Sequence, residues 1–268
     1  ICIAGKNQIA VDALDIVNEL GLKNDDILVC FNDTDYGEDN WQPSLKKKAI
    51  ENHYDTVVIQ DLYNIKNLLF ISLEFNKIIH TNKFISNKLY NIHFSKLPKY
   101  KGMYTSIHPI LNGEKSSGVT LHKIDDGIDT GDIIDSIEFP IEIYDTSRNL
   151  YFKYLKYGTI LFKKNIEKLI TGDYNVRKQS YIESSYYSRH TIDFKNFNIN
   201  LNKTSYDIHN QIRAYIFKEY QFPTVNGFKI VSSELSNKYI GINKFTVSNR
   251  GIVMSGIDGF KITLKSDD

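Results

Sequence analysis

Apolar positions along the chain fall into two textures. Over the first two thirds, short continuous apolar runs alternate with stretches of helical spacing. Residues 1–5 (Ile-Cys-Ile-Ala-Gly) read as a buried strand, and residues 8–20 carry Ile9, Val11, Leu14, Val17 and Leu20 at helical intervals. Residues 27–31 and 56–60 read as second and third strands, with further apolar runs at 68–73 and 77–80. Thr146 is placed to cap a long helix that turns Tyr151, Tyr154, Leu155, Phe162, Ile166 and Leu169 inward, and Gly172 stands where that helix should stop. Strands alternating with helices predict an α/β layer built on a largely parallel sheet with helices on both faces. The texture changes after about residue 185. Residues 204–216 keep a helical pattern through Tyr206, Ile208, Ile212 and Ile216, and then short alternating runs follow at 227–231, 238–242, 251–254 and 260–264. These predict an antiparallel, hairpin-rich module, so the expected division is 1–185 and 186–268. The chain shows no internal repeat and no low-complexity linker.

Composition narrows the picture. The 268 residues are enough to bury a sizeable core. Lysine and arginine total 33 against 32 acidic residues, a net charge of +1, which argues against a broad surface for nucleic acid or another polyanion. Cys2 and Cys30 both fall in apolar strand-like runs, so buried free thiols in a reducing compartment are expected. No apolar run approaches the roughly 20 residues of a membrane span, and no secretory signal is visible, although Ile1 in place of Met implies sequence upstream. The expectation is a cytoplasmic protein with no membrane partner.

Candidate chemistry concentrates at Asn91-Ile92-His93 and Asp125-Asp126-Gly127-Ile128-Asp129-Thr130-Gly131. Asn91 and His93 lie two apart at the end of an apolar run, so on a strand they share a face. An amide can hold a developing oxyanion, an imidazole can move a proton, and a carboxylate can orient the imidazole. Read singly, a histidine after a strand is usually a satisfied loop residue, and an Asp/Gly-rich segment is usually a turn. The aspartates lack the full 12-residue calcium-loop pattern, and the histidines show no metal-ligand spacing, so no metal is expected. Gly5-Lys6-Asn7 sits where a strand meets a helix N-terminus, which suits an anion or is an ordinary turn. Lys77 is a phosphate candidate or a solvated lysine. Tyr104 suits packing on a sugar ring or base. Tyr220, with Phe217, Gln221 and Phe222, suits stacking of a base or a satellite core.

Three blocks in order, Asn91 to Gly102, Gly118 to His122, and Asp129-Thr130-Gly131, resemble the signature of the folate-dependent formyltransferases, and the resemblance runs from residue 1 to about 190. It implies a Rossmann-like catalytic domain with a parallel-rich sheet, followed by a small C-terminal antiparallel module. It implies 10-formyltetrahydrofolate as co-substrate, with Asn91, His93 and Asp129 as the catalytic set and Asp129 reaching toward His93. It also implies that Leu73 and Glu74 in Phe70-Ile71-Ser72-Leu73-Glu74-Phe75 hold the pterin ring, and that Asp125, Gly127 and Ile128 close over the folate. Asn7, at the first strand–helix corner, would take the acceptor's phosphate. Arg189, in Tyr186-Tyr187-Ser188-Arg189, lies in a segment like those that join the catalytic domain to its C-terminal piece.

Within the family, the phrases 70–75, 91–95 and 101–106 look most like nucleotide-sugar N-formyltransferases. That implies transfer to the amine of a dTDP-linked amino-dideoxy sugar such as dTDP-4-amino-4,6-dideoxyglucose, for bacterial O-antigen or other surface glycans, by a homodimer joined through the C-terminal hairpins. Alternatives are a methionyl-tRNA formyltransferase, a formyltetrahydrofolate hydrolase and, from another class, a non-catalytic sugar-nucleotide or folate binding module.

Overall fold

The computed structural model describes residues 1–248 and 251–267. Its first sheet has seven strands in the order β3-β2-β1-β4-β5-β7-β8. These are β1 (Cys2–Gly5), β2 (Leu28–Phe31), β3 (Asp55–Thr56), β4 (Leu69–Leu73), β5 (Lys88–His93), β7 (Ser116–Lys123) and β8 (Ile133–Pro140). From β3 to β5 each neighbouring pair is parallel, and β7 then runs antiparallel to β5. The five residues of β4 are all buried, as a strand at the middle of a covered sheet requires. Helix α1 (Asn7–Glu19) lays Ile9, Leu14 and Val17 into the core, and α2 (Leu45–Glu51) is capped by the Ser44 hydroxyl, which accepts from the Lys47 N–H.

The third strand differs from expectation. Strand β3 is only Asp55–Thr56, its last bond to β2 running from the Val57 N–H to the Val29 carbonyl at 3.0 Å, and 59–62 form a 3₁₀ turn. The Asp61 carboxylate accepts from the Val58 N–H at 3.0 Å and turns the chain out of the sheet. The run 77–80 is not a strand either; it leads into a 3₁₀ turn at Thr81–Lys83. The long helix α4 (Ser147–Thr171) begins at Thr146, whose hydroxyl accepts from the Asn149 N–H, and ends before Gly172, which has φ +80°. Gly158 lets α4 approach α1, because a Cβ there would lie 2.6 Å from Ile9 Cδ1. Cys2 and Cys30 are free and buried in one apolar cluster.

The second sheet has the order β10-β11-β14-β13-β12: β10 (Thr224–Val225), β11 (Phe228–Tyr239), β12 (Phe245–Ser248), β13 (Gly251–Met254) and β14 (Phe260–Ser266). The run at 227–231 begins one long bent strand, β11, which takes in only Lys238 and Tyr239 of the strand expected at 238–242 and has irregular register against β14 near Ile230–Ser232 and Leu235–Tyr239. Helix α5 (Ser205–Ala214) packs Ile208 and Ile212 with Ile230, Ile252, Ile262 and Leu264 of this sheet. Two short strands, β6 (Lys101–Gly102) and β9 (Tyr186–Tyr187), form a separate ribbon, and α3 (His108–Leu111) is a single turn.

The chain divides into two compact units that interleave in sequence. One holds Ile1–Gly102, Gly118–Glu138 and Tyr154–Tyr186; the other holds Met103–Ser117, Phe139–Lys153 and Tyr187–Asp268. The single division drawn at 185/186 therefore misses two segments of the second unit. Their attachment has a physical cause. Tyr206 of α5 donates to the Gly113 carbonyl at 3.3 Å, and the buried Arg213 donates to the carbonyls of Glu142 and Asp145 at 2.8 and 2.6 Å.

Two buried imidazoles in the second unit make its stability pH-dependent. His209 joins the Ser233 hydroxyl and the Ile143 carbonyl at 2.8 Å each, and burial pushes its pKa down to about 4. His108 stacks on Tyr187, meets the Thr191 hydroxyl at 3.0 Å, and is also pushed by burial to about 4. Between about pH 6.5 and pH 4 the unfolded chain takes up protons that the folded one excludes. Stability should therefore fall with acidification over that window, by ~1.4 kcal/mol per pH unit for each ring. Urea titrations at pH 7, 6 and 5 should show this, with the slope reduced by about one ring in His209→Gln; an unchanged slope would remove His209 from the linkage.

Candidate active site

Strand β5 ends in Asn91-Ile92-His93, and its neighbour β7 decides what faces them. The antiparallel register sets Asn91 opposite His122 and His93 opposite Thr120. With a side-chain period of two, Asn91, His93 and their two partners share one face. The Asn91 amide lies 3.1 Å from His122 Nε2 and donates to Asp129 Oδ1 at 3.3 Å. His93 Nδ1 lies 3.4 Å from Asp129 Oδ2. The structure thus brings Asn91, His93 and Asp129 into one largely buried cluster.

His93 Nε2 is 2.8 Å from the Tyr100 carbonyl oxygen. Both ring nitrogens therefore face oxygen acceptors, and a ring protonated on both satisfies both. His122 Nδ1 meets the Lys123 carbonyl at 2.7 Å, and its Nε2 lies 3.1 Å from the Asn91 amide and 3.6 Å from Asp129 Oδ1. Burial pushes the Asp129 carboxyl up, but His93, His122 and the Gly102 N–H outweigh it and hold the group well below the usual carboxylate range. The Gly102 N–H donates to Asp129 Oδ2 at 2.9 Å. The result is a fixed anion beside an imidazole and an amide.

The loop from β5 to Gly102 is held from both ends. The Thr120 hydroxyl donates to the Ser95 carbonyl at 2.7 Å and accepts from the Leu97 N–H at 3.2 Å. Farther along, the Tyr100 N–H donates to the Ser185 hydroxyl at 2.9 Å. This places the Tyr100 carbonyl on His93.

The 125–131 loop is closed by its own side chains. Asp125 Oδ1 accepts from the Gly127 N–H and the Thr130 hydroxyl at 3.2 and 2.6 Å, and Thr81 donates to Asp126. Ile128 is 42% exposed at the loop tip, an apolar side chain that a ligand could cover. At the β1–α1 corner, Asn7 Nδ2 donates to Glu74 Oε2 at 3.1 Å, and both residues have left-handed backbone, φ 63° and 60°. Leu73 is fully buried, and its carbonyl accepts from the Lys6 N–H at 3.2 Å. Gly5 is required there, because a Cβ would lie 1.8 Å from that oxygen. Lys77 is paired with Asp33 at 3.0 Å, so a phosphate would have to compete for it.

Tyr104, Arg189 and Tyr220 belong to the second unit. Tyr104 meets Phe194 edge-on at 5.4 Å, Arg189 is exposed, and Tyr220 packs on Phe217 at 4.8 Å while 62% exposed. Among the described residues, no His/Cys/Asp/Glu group has the geometry of a metal site, and no helix is long and apolar enough to cross a membrane.

The sequence placed His122 in a signature block without giving it a role, and it did not point to the Tyr100 carbonyl or to Gln179, whose amide touches the backbone of the 129–131 loop. His122 had a signal: Thr120-Leu121-His122 repeats the two-residue spacing of Asn91-Ile92-His93. A backbone carbonyl has none.

The formyl transferase family model matches residues 41–166. A methionyl-tRNA formyltransferase from Fervidobacterium nodosum is 35% identical over 127 residues, which is 47% of this chain and 39% of that protein. The chain thus spans well under half the length of that curated relative. Two solved structures are similar over almost the whole chain. An N-formyltransferase from Helicobacter canadensis, in complex with folinic acid and dTDP-3-aminofucose, is 52% identical with a TM-score of 0.97, covering 99% of this chain and 98% of that one. WlaRD, a sugar 3-N-formyltransferase solved in the presence of dTDP and 5-N-formyl-tetrahydrofolate, is 52% identical with a TM-score of 0.98, covering 100% and 97%.

Proposed function

The chain belongs to the formyl transferase family, and we propose that it moves the formyl group of 10-formyltetrahydrofolate to the amine of a dTDP-linked amino-dideoxy sugar. The observation that carries the chemistry is the Asn91–His93–Asp129 cluster, in which an amide and an imidazole are held by one carboxylate. The 52% identity to sugar N-formyltransferases through both units supports a sugar acceptor; methionyl-tRNA formyltransferases match at 27–35% identity, over up to 83% of this chain and 78% of theirs.

In the proposed reaction the uncharged sugar amine attacks the formyl carbon. A carbon–nitrogen bond forms, and the carbonyl electron pair moves to oxygen. Asn91 and His93 donate hydrogen bonds to that oxyanion, each exchanging a present partner for it: His93 Nε2 leaves the Tyr100 carbonyl, and Asn91 releases an N–H from His122 or Asp129. The oxyanion collapses, the bond from carbon to folate N10 breaks, and the amine's proton ends on N10. Asp129 holds His93 in place, its Oδ2 3.4 Å from Nδ1.

Both 52%-identical neighbours concern 3-amino chemistry, one by its bound sugar nucleotide and one by its described activity. A 3-amino-3,6-dideoxyhexose therefore becomes the first acceptor to try, ahead of dTDP-4-amino-4,6-dideoxyglucose. Leu73, Glu74, Asp125, Gly127 and Ile128 are proposed to meet the folate, and Asn7, Lys77, Tyr104, Arg189 and Tyr220 the sugar nucleotide. A cytoplasmic homodimer formed through the C-terminal sheet and serving surface-glycan synthesis completes the reading.

The test is turnover with 10-formyltetrahydrofolate and each dTDP-amino sugar, read by mass. A gain of one formyl group on the 3-amino sugar nucleotide is expected. Formate release with no modified sugar would indicate a hydrolase, and formylation of charged initiator tRNA would indicate the tRNA enzyme.

A further inference from the structure

Asp129 sits in left-handed backbone, tied from both its side chain and its main chain. Its φ is +54°, in the left-handed region, which aspartate enters more readily than most residues with a Cβ but which still leaves the turn in need of partners to hold it. Its side chain is tied by the Gly102 N–H. Its backbone is tied by a residue 50 positions on: the Gln179 side-chain NH₂ donates to the Asp129 carbonyl and to the Gly131 carbonyl, both at 2.8 Å.

Gln179 is delivered there by pairing. Ile133 and Arg177 exchange both backbone hydrogen bonds, at 2.8 and 2.9 Å, so the segment after α4 runs antiparallel to the start of β8. Two residues farther along each strand, Gln179 faces Gly131. From the other side Gly131 is packed against β7, because a Cβ there would lie 1.8 Å from the Lys123 carbonyl oxygen. The turn carrying Asp129 is thus clamped between the end of β7 and the Gln179 amide.

The amide can face only one way. Turned over, its oxygen would oppose two carbonyl oxygens. In the present orientation Oε1 is buried with no hydrogen-bond partner among the described residues. Leaving a buried acceptor unpaired is unfavourable, so the two carbonyl contacts outweigh that cost.

We propose that Gln179 is a positioning residue for the formyl-transfer reaction, acting through Asp129: it holds the 129–131 turn so that the carboxylate spans Asn91 and His93. This rests on the formyltransferase reading given above. Gln179 hydrogen-bonds the backbone of the turn and, among the described residues, none of the three side chains, so its substitution should act only where Asp129 is present.

The test is a double-mutant cycle with Gln179→Leu, nearly isosteric Gln179→Glu and Asp129→Ala. Gln179→Leu should lower kcat about 10- to 100-fold, with KM for both substrates changed by less than about threefold. In the Asp129→Ala background the same change should cost less than about twofold. Equal losses in both backgrounds would overturn the proposal, because a general structural role does not depend on Asp129. A readout independent of turnover is the NMR signal of the His93 imidazole in ligand-free protein, assigned with His93→Gln. In Gln179→Glu it should move toward its position in Asp129→Ala; an unmoved signal in a folded variant overturns the proposal. If wild-type protein transfers no formyl group, the spectra still decide the positioning claim, and the failure falls on the reaction alone.

Discussion

Replacing His93 with Gln should lower kcat/KM for formyl transfer by about 10³-fold while the protein stays folded. Glutamine keeps an N–H that can reach the Tyr100 carbonyl, so the loop that His93 Nε2 now contacts at 2.8 Å retains a partner. It lacks the second ring nitrogen that faces Asp129 Oδ2 at 3.4 Å, and it cannot carry a positive charge beside the developing oxyanion. The loss should therefore appear in kcat, with folate and sugar-nucleotide affinities close to wild type. Single-turnover rates with saturating substrates measure this directly. Turnover within tenfold of wild type would remove His93 from the chemistry and leave the cluster a structural one.

Arg213→Ala should destabilise the second unit by about 3–5 kcal/mol. Arg213 is 2% exposed, and burial disfavours its charge, yet it is kept. Its Nη1 serves the Glu142 and Asp145 carbonyls, and its Nε donates to Asn210 Oδ1 at 2.9 Å. Truncation leaves three buried acceptors without this donor and a cavity of side-chain size. Asp145 would also lose the neighbouring cation, although Lys153 stays paired with its carboxylate. Urea unfolding of wild type and variant gives the difference. A change below about 1 kcal/mol would mean that water replaces the guanidinium at little cost.

Much of the fold was legible because its causes are local. The first strand and helix, the long helix from Thr146 to Gly172 and the hairpin texture after residue 185 follow from apolar spacing and from capping residues adjacent in sequence. Misreadings occurred where a distant or polar partner intervened. Val58 and Ile59 look like strand, but the Asp61 carboxylate accepts from the Val58 N–H and folds the chain into a turn after Val57, whose N–H still reaches the Val29 carbonyl. The runs at 227–231 and 238–242 look like two separate strands, but pairing with β14 carries a single strand from Phe228 to Tyr239, and 240–242 fall outside it.

The site divides in the same way. The chemical kit was readable from the chain alone: Asn91 and His93 two apart at a strand end, and Asp129 in a glycine-bounded loop. Residue type and short spacing carry that information. Only the tertiary structure decided how the kit is held. Antiparallel pairing with β7 put His122 against Asn91, the Tyr100 carbonyl closed on His93, and Gln179 gripped the turn of Asp129. It also decided that 103–117 and 139–153 belong with the C-terminal unit. The physical reason is that strand register and backbone acceptors leave no mark at a single sequence position. Every residue has a carbonyl, and which one meets a given side chain is set only when distant segments pack.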